Sequence, residues 1–470
     1  MPELDPLAPR LPPCRIVFVG IEDLLSTCRQ TSAMMRGRLA YSSRGNSGKM
    51  LQRRSYAGRV IVRPGGRLDS RTKRFVLRFI PFVFFRLGLF RLWQRLPRSA
   101  RRRIVDRLTV IPDSAFDASP SRAEPPFVVC GMATSHASFG WSMRSMLDHL
   151  EALGHEPIAL DVSSYFWTDA KKSRRERRPH ARVPRSGTLI LNVNPDQMNY
   201  VCSIIPKQWM AGKYRIGYCV WELETIPPSW HAGLASIHEV WVPSTFVRDA
   251  FVNSGIDKPI RVIPHRLKLP AGLTDDRARF GLPEERFIVL TVLNLRSGLA
   301  RKNPAATIEA FRQAFGGDDA ALLVVKVHDG HLSPGALRRL RDMVAGNRNM
   351  RLIEEDLSEG DIWKLVASCD CVLSLHRAEG FGLVLKQGLM LDKPTVATGW
   401  SGNMDFMTGE NAYPVPYRLV PVEDPDGIYP SDMGARWAEP DVAAAAEILR
   451  GLFREGAAAP DVSARAVINR

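Results

Sequence analysis

Three basic side chains follow one predicted strand near the middle of the chain: Arg296, Arg301 and Lys302. The next two residues, Asn303 and Pro304, suit the N-cap and the first position of a helix. Cationic side chains at the carboxyl edge of a sheet, close to a helix N-terminus, form a site for a diphosphate. A solvated basic turn before a helix has the same composition, so this stretch alone leaves both interpretations open.

A carboxylate and two glycines stand at the end of another predicted strand. Glu379 precedes Gly380, Phe381 and Gly382, and a predicted helix follows them. Glycine lets backbone N–H groups approach a ligand closely, and the helix N-terminus adds positive potential at the same place. The glycines alone also fit a plain turn. A carboxylate beside a phosphate site, however, is suited to accept hydrogen bonds from sugar hydroxyls, which makes this passage the more informative one.

Parallel sheets are the elements that would bring these residues together. From residue 126 onward, short apolar runs alternate with helical stretches, which is typical of βαβ units. Strands are predicted first at 127–131, 188–194, 214–222, 238–244 and 260–265, with helices at 141–153 and 245–253. Further strands are predicted at 286–294, 321–328, 350–355, 371–376 and 394–398, with helices at 304–315, 334–345, 359–367 and 383–391. This pattern predicts two doubly wound domains with a cleft between them. Sheets of this kind bind ligands at the carboxyl ends of their strands.

The chain has 470 residues, more than one hydrophobic core usually organises. We predict four parts: a basic extension that is partly disordered or amphipathic (1–125), two Rossmann-like domains (126–273 and 274–450) and a tail (451–470). The net charge of +16 belongs to the extension, because residues 1–125 hold 25 Lys+Arg and 9 Asp+Glu while the remainder holds 40 of each. The predicted domains are therefore neutral, and the basic composition describes only their appendage.

Residues 75–108 alternate large apolar residues with arginines. This pattern predicts either an amphipathic helix on an anionic membrane surface or a helix packed on the domains. Nucleic-acid binding is the weaker alternative, because the aromatic residues are phenylalanines without a recognised RNA-binding module around them. The seven cysteines include no CxxC pair, and no secretion signal or membrane-spanning segment is evident. We therefore expect a cytoplasmic protein that can lie at the inner face of the plasma membrane.

The passage from Glu379 to Thr398 resembles the signature of glycosyltransferase family 4 and its GT-B relatives, in which GFG follows the first of two glutamates eight positions apart. Five further passages are similar to bacterial enzymes that build surface polysaccharides and lipid-linked glycans: LSLHRAEGFG, PTVATGWSGNMDFM, RKNP, WELETIPPSW and HEVWVPSTFVRDAF. The resemblance covers roughly residues 126–450 and leaves residues 1–125 outside it.

The resemblance implies a GT-B fold, with an N-terminal acceptor domain and a C-terminal donor domain facing each other across a cleft. It implies transfer of a sugar from a nucleoside diphosphate sugar to a carbohydrate or lipid-linked carbohydrate, with retention of configuration and with no metal or other cofactor. Arg296 and Lys302 match the basic pair that grips the donor diphosphate, and Glu379 matches the glutamate that holds sugar hydroxyls. The backbone from Gly380 to Gly382 completes the implied donor site, and we add Arg301 to it because this residue lies in the same predicted basic loop.

The second glutamate of the signature falls at position 387, where this chain has Gln387. In the family this carboxylate accepts hydrogen bonds from both ribose hydroxyls, and a neutral amide accepts them more weakly. The difference corresponds to roughly 1–2 kcal/mol, or on the order of tenfold in donor affinity. A GT-B relative that binds a glycan or a partner enzyme without catalysis is therefore an alternative, and a nucleotide-sugar epimerase on the same fold is another.

The acceptor should enter from the first domain, whose loops face the donor. Candidates are residues 135–142, Asn194 and Gln197, although Asn and Gln are also ordinary turn formers. Trp221 and Glu222 could line the cleft, and His265 should help to shape the joint between the domains. We assign no metal: the one Asp-x-Asp pattern, at 424–426, lies among prolines and glycine and is better explained by an Asx turn.

Overall fold

The computed structural model describes residues 15–18, 122–133, 138–163, 166, 183–430 and 433–455. Most of the predicted N-terminal extension, including the segment 75–108 proposed to contact a membrane, lies outside the described residues, and so does the chain after residue 455. Within the described ranges, no helix combines the length and the apolar composition that crossing a bilayer requires.

The first lobe of the protein is a seven-stranded parallel sheet with its helices. Its strands are β1 Arg15–Phe18, β2 Phe127–Gly131, β3 Ile158–Asp161, β4 Thr188–Asn192, β5 Tyr214–Tyr218, β6 Glu239–Val242 and β7 Ile260–Val262. Its helices are α1 Ser138–Ala152, α2 Pro195–Ile204, α3 His231–Leu234 and α4 Thr245–Asn253. The strand order is β1-β3-β2-β4-β5-β6-β7. Every residue of β2, β4 and β5 is buried, as expected for parallel strands covered on both faces.

The second lobe is a six-stranded parallel sheet with its helices. Its strands are β8 Phe287–Asn294, β9 Ala321–His328, β10 Met350–Ile353, β11 Cys371–Ser374, β12 Thr395–Thr398 and β13 Tyr413–Val415. Its helices are α5 Leu299–Lys302, α6 Pro304–Phe315, α7 Pro334–Val344, α8 Glu359–Ala367 and α9 Leu383–Met390. The order β10-β9-β8-β11-β12-β13 reverses direction between β8 and β11. A crevice for a ligand opens at such a reversal, at the carboxyl ends of the two strands.

A C-terminal hairpin connects the two lobes. Its antiparallel strands, β14 Tyr417–Pro421 and β15 Arg436–Pro440, precede the last helix, α10 Val442–Arg454. Helix α10 packs into the core of the second lobe through Ala445, Leu449 and Leu452. Side chains of the hairpin and its loop instead join the hydrophobic core of the first lobe: Val422, Tyr429, Ala435 and Trp437. The hairpin therefore belongs to the second lobe in sequence and to the first lobe in packing.

The predicted alternation of strands and helices is confirmed, and every predicted boundary lies within four residues of the observed one. Several observed elements were not predicted: β1, β3, α2 and α3 in the first lobe, and α5, β13, β14, β15 and α10 in the rest of the chain. The predicted strand 188–194 ends at Asn192, because Asn194 is the N-cap of α2 and Pro195 its first residue. Helix α1 begins at Ser138, three residues before the predicted start.

Candidate active site

A cavity lies between the lobes, at the reversal point of the second sheet. Asn294 and Ser374, the last residues of β8 and β11, line it from the second lobe. Trp141, Glu222 and His265 line it from the first lobe. Its volume is about 200 Å³, several times the ~30 Å³ share of one water molecule, so a ligand of many atoms fits. The cavity thus occupies the position that the fold predicts for a ligand.

The turn after β8 brings two cations to this cavity. Asn294 Oδ1 accepts a hydrogen bond from the backbone N–H of Arg296 at 2.9 Å, which begins the turn. Asn303 has a φ of 48° and its side chain accepts from the N–H of Ala306, so the predicted N-cap of α6 is confirmed. Between these two asparagines, the single turn of α5 directs Arg301 and Lys302 to the cavity wall. Arg296 is exposed and is not among the residues that line the cavity, so its role stays a prediction.

Glu379 lies in contact with both of these cations. The ammonium group of Lys302 donates to Glu379 Oε1, and Arg301 Nη1 lies 3.2 Å from the same oxygen. The three side chains are 2% (Arg301), 18% (Lys302) and 12% (Glu379) exposed, so the cluster is largely shielded from solvent yet open to the cavity. Residues that follow β8 and β11 thus meet at one point, because these strands are neighbours in the sheet.

Glu379 is ionised in this arrangement. Burial opposes its negative charge, but the attraction of Lys302 and Arg301 outweighs burial and lowers the pKa of the carboxyl to about 2. Burial likewise opposes the charge of Arg301, whose pKa is nevertheless raised by the negative potential of Tyr429, Glu222 and Glu379. The cavity wall therefore carries fixed charges of both signs within a few ångströms of each other.

Arg301 is held by contacts from several segments of the chain. Its Nη1 donates to the carbonyl of Ala378 at 2.7 Å, and its Nε donates to the carbonyl of Ser297 at 3.3 Å. Its Nη2 lies 3.7 Å from Glu222 of the first lobe, and its guanidinium lies over the ring of Tyr429 at 5.8 Å. With its donors directed to the protein, Arg301 is fixed in place more firmly than Lys302.

The loop from Gly380 to Gly382 passes between the lobes. A Cβ at Gly380 would lie 2.8 Å from the carbonyl oxygen of Trp221, so only glycine fits without a shift of the first lobe. The carbonyl of Gly380 accepts from the hydroxyl of Ser244 at 2.7 Å. Phe381 packs edge-on against His265 with ring centroids 5.1 Å apart. Gly382, with a φ of 93°, is the N-cap of α9 and directs the first turn of that helix to the cavity.

Two buried histidines stand near the charged cluster and carry no charge at neutral pH. Burial lowers the pKa of His376 to about 4 and that of His265 to about 3. His376 lies between Ser374 Oγ and Asn403 Oδ1, each at 3.1 Å. Neither His265 nor His376 therefore adds positive charge beside the cluster of Arg301, Lys302 and Glu379.

Gln387 also lines the cavity and is 3% exposed. It lies on α9, the helix that begins at the glycine loop. The residue that differs from the family signature, Gln387, is therefore part of the cavity wall, where its neutral amide can affect ligand binding directly.

The two residues predicted to contact the acceptor, Asn194 and Gln197, do not line the cavity. Asn194 Oδ1 accepts from the backbone N–H of Val220 at 2.9 Å, and Gln197 lies in the first turn of α2, where its Oε1 is buried without a hydrogen-bond partner. Their assignment stays a prediction. Of the predicted stretch 135–142, residues 135–137 lie outside the described ranges, while Trp141 and Ser142 line the cavity.

An interdomain ion pair at the cavity wall was not expected from the sequence. Arg144 of α1 contacts Glu359, the first residue of α8, at 3.2 Å, and both line the cavity. Both side chains are more than a third exposed, so the contact is solvated and weak. No sequence signal joins these residues, because they are 215 positions apart.

The Asp-x-Asp pattern forms the predicted Asx turn. Asp424 Oδ1 accepts from the backbone N–H of Asp426, and Oδ2 accepts from those of Ile428 and Tyr429. Asp426 pairs with Arg339 at 2.8 Å. Among the described residues, no group of three or more His, Cys, Asp or Glu side chains is arranged to hold a metal ion. That the protein needs no metal stays a prediction.

Comparison with known proteins gives a match at the level of structure only. No protein-family model matches the chain, and no curated protein matches it. Among solved structures, the chain is similar to a glycosyltransferase from Rickettsia africae, with a TM-score of 0.51 and 17% identity over 73% of this chain and 92% of the other.

Two further solved structures resemble the chain less closely. HepE of Anabaena, solved with UDP-glucose, gives a TM-score of 0.48 at 13% identity over 70% of this chain and 90% of that one. Staphylococcus aureus TarM gives 0.39 at 13% identity over 57% of this chain, which spans about half (48%) of TarM. Together with the two doubly wound lobes, the likeness to the Rickettsia protein confirms the predicted α/β architecture of the GT-B type.

Proposed function

We propose that this chain is a retaining, metal-independent glycosyltransferase of the family 4 type. It moves a sugar from a nucleoside diphosphate sugar to a carbohydrate or lipid-linked carbohydrate in cell-surface polysaccharide synthesis. One observation carries the proposal: a buried, ionised Glu379 contacts Lys302 at the carboxyl ends of β8 and β11. A carboxylate for sugar hydroxyls and a cation for phosphate thus lie side by side, as a ligand with a sugar bonded to a diphosphate requires.

The proposed chemistry follows from the charges. As the bond between the anomeric carbon and the phosphate oxygen breaks, positive charge develops on the sugar and negative charge accumulates on the diphosphate. Lys302 and the first N–H groups of α9 supply positive potential to that diphosphate. The acceptor hydroxyl attacks from the same face, and its proton passes to the departing phosphate oxygen. No protein base is needed, and the neutral His265 and His376 are not assigned this role.

The two arginines take different parts in the proposal. Arg296 is exposed at the turn that follows β8, and we assign it, with Lys302, to the donor diphosphate. Arg301 is 2% exposed and directs its donors to protein oxygens, so we assign it to fixing Glu379. The backbone of Gly380, Phe381 and Gly382 and the amide of Gln387 complete the proposed donor site.

A thermal-shift screen tests the donor site. The wild type, Arg296→Ala and Lys302→Ala are each heated with UDP-, GDP-, ADP- and dTDP-sugars. We expect one nucleotide class to stabilise the wild type and to lose this effect in both variants, because binding to the native state alone raises its stability. Equal shifts in the wild type and both variants would remove the assignment of the donor diphosphate.

Gln387 favours a second candidate function, a GT-B relative that binds a glycan or a partner enzyme without catalysis. A neutral amide on the cavity wall weakens the grip on ribose relative to a carboxylate. Incubation with each nucleotide sugar and a panel of saccharide acceptors separates the two functions. A folded, cooperative protein with no transfer and no hydrolysis on any donor supports the binding function. Interconversion of free nucleotide sugars without an acceptor would instead indicate an epimerase.

The place of action is part of the proposal. We infer a cytoplasmic protein held at the inner face of the plasma membrane by residues 75–108, whose arginines and aromatic side chains suit an anionic lipid surface. Sedimentation with anionic and neutral vesicles tests this, with a chain lacking residues 75–108 as the control. Binding that survives the deletion contradicts the assignment.

A further inference from the structure

Glu222 of the first lobe reaches the donor site of the second lobe through Arg301. Its Oε1 lies 3.7 Å from Arg301 Nη2, and its Oε2 accepts a hydrogen bond from the hydroxyl of Tyr429 at 3.0 Å. Arg301 in turn contacts Glu379 through Nη1 at 3.2 Å. A continuous line of contacts therefore runs from Tyr429 through Glu222 and Arg301 to Glu379.

The geometry of this line depends on the planar guanidinium. Arg301 presents one nitrogen to Glu222, another to Glu379 and the carbonyl of Ala378, and its Nε to Ser297. A lysine has a single ammonium group and cannot span these partners at once. Since Arg301 is 2% exposed, water from the cavity would compensate only in part for a lost partner, and the guanidinium would turn towards the carboxylate that remains.

The partner carboxylates come from opposite lobes. Glu222 follows β5 in the first lobe, and Glu379 follows β11 in the second. The loop that carries Tyr429 is fixed by Asp424, which accepts from the N–H of Tyr429 at 2.9 Å, and the ring of Tyr429 lies in the core of the first lobe. The orientation of Arg301 is thus complete only when both lobes and this loop are in contact.

We propose that Glu222 is a positioning residue of the donor site: with Tyr429 it orients Arg301, and so sets the carboxylate of Glu379 for the transferred sugar when the lobes are together. The inference rests on the proposed function, since it gives Glu379 the sugar as its ligand. It extends that function by making sugar transfer, and not nucleotide binding, depend on contact between the lobes.

The chain offers a matched control on the same segment. Glu224, two residues from Glu222, pairs with Arg436 of β15 at 3.3 Å and so joins the same hairpin to the same part of the first lobe. This pair does not contact Arg301. The variants Glu222→Gln and Tyr429→Phe break the proposed line of contacts, whereas Glu224→Gln weakens only the contacts of Glu224 with the side chain and the backbone N–H of Arg436.

The first measurement compares affinity with turnover. We expect Glu222→Gln and Tyr429→Phe to lower kcat with the sugar donor by about tenfold. Affinity for the nucleoside diphosphate alone, measured by calorimetry, should be unchanged in Tyr429→Phe and unchanged or severalfold higher in Glu222→Gln, which loses a negative charge. Glu224→Gln should keep both values within about twofold. A general loosening of the cleft would lower affinity and turnover together, so equal losses in all three variants overturn the inference.

The second measurement needs no donor. Hydrogen–deuterium exchange of the peptide 376–382 in the ligand-free protein should be faster in Glu222→Gln and Tyr429→Phe than in the wild type, and unchanged in Glu224→Gln. Unchanged exchange in the first two variants, or equally fast exchange in Glu224→Gln, overturns the positioning role. If no nucleotide sugar binds the wild type, the proposed function fails, while the exchange experiment still decides whether Glu222 orders this loop.

Discussion

Glu379 keeps its negative charge inside the protein because two cations surround it, and this links stability to pH. Its folded-state pKa is about 2, against an ordinary value of 4.5. A lowered carboxyl pKa stabilises the folded state fully above the ordinary value, and this contribution disappears as the pH falls through the folded value. The window for the loss is therefore about pH 4.5 to 2.

We expect Glu379→Gln to lower the free energy of unfolding near pH 7 by on the order of 3 kcal/mol, because Lys302 and Arg301 stay buried without their carboxylate. Glutamine resembles the protonated acid, so the difference in free energy of unfolding between wild type and variant should narrow as the pH falls below about 4.5. Urea unfolding at several pH values measures this. The control Glu410→Gln, at an exposed position, should have the same free energy of unfolding as the wild type at each pH. A difference between wild type and Glu379→Gln that stays constant down to pH 2 contradicts the prediction.

Gln387→Glu restores the carboxylate of the family signature at a position on the cavity wall. We expect nucleoside diphosphate to bind about tenfold more tightly, because a carboxylate accepts charge-assisted hydrogen bonds from both ribose hydroxyls. Isothermal calorimetry gives the affinity, and Gln208→Glu, exposed in the first lobe, is the control for added charge. Unchanged or weaker binding would mean that the side chain at 387 does not face the ribose.

Among single residues, the sequence predicted that Lys302 and Glu379 lie close together, because both follow strands that are neighbours in the sheet. It did not show which of the three cations would be buried. That choice depends on the positive φ angles of Gly298 and Asn303, which shape the turn. It also depends on partners far along the chain, since Glu222 and Tyr429 surround Arg301. Arg296, assigned from its spacing to Lys302, is left exposed.

Among the elements, the loop between β11 and α9 determines how closely the lobes approach. In Gly380→Ala the new Cβ would meet the carbonyl of Trp221 at 2.8 Å, a backbone atom that cannot rotate away. We expect a loss of about 1–3 kcal/mol in the free energy of unfolding and a decrease in transfer activity. Gly409→Ala is the control, because nothing lies within 4 Å of a Cβ there. Equal stability of the two variants would show that the contact with Trp221 is not tight.

The sequence predicted elements well where an apolar run and a helix start signal coincide. Helix α6 was predicted from Asn303 and Pro304 with its observed bounds. The same pair of residue types occurs at Asn194 and Pro195, where it begins α2. This helix was not predicted, although its N-cap asparagine and first-turn proline are visible in the sequence. Strand β3 was harder to find, because it has only four residues and follows a proline.

In the whole molecule, the C-terminal hairpin makes the two lobes depend on each other. Trp437 of β15 is 2% exposed in the core cluster of the first lobe, with Arg377 over its ring. We expect Trp437→Ala to lower the free energy of unfolding by about 3–5 kcal/mol. Hydrogen exchange should accelerate in the first-lobe strand β6, whose Val240 and Val242 share this core, as well as in the hairpin.

The control for this prediction is Tyr417→Ala, in the same hairpin at a position that is 41% exposed, which should change stability by less than about 1 kcal/mol. Faster exchange confined to the hairpin would contradict the dependence between the lobes. The sequence did not predict this contact, because nothing in a short hairpin indicates which of two cores its tryptophan enters.

The packing of the hairpin also has a consequence for synthesis on the ribosome. The core around β6 and α4 is completed by Val422, Tyr429, Ala435 and Trp437, which are translated long after α4 ends at Asn253. At roughly 5–20 residues per second, this interval lasts on the order of ten to forty seconds. During that time the nascent first lobe exposes apolar surface that only the last part of the chain can cover, so it is then open to chaperones and to association with other nascent chains.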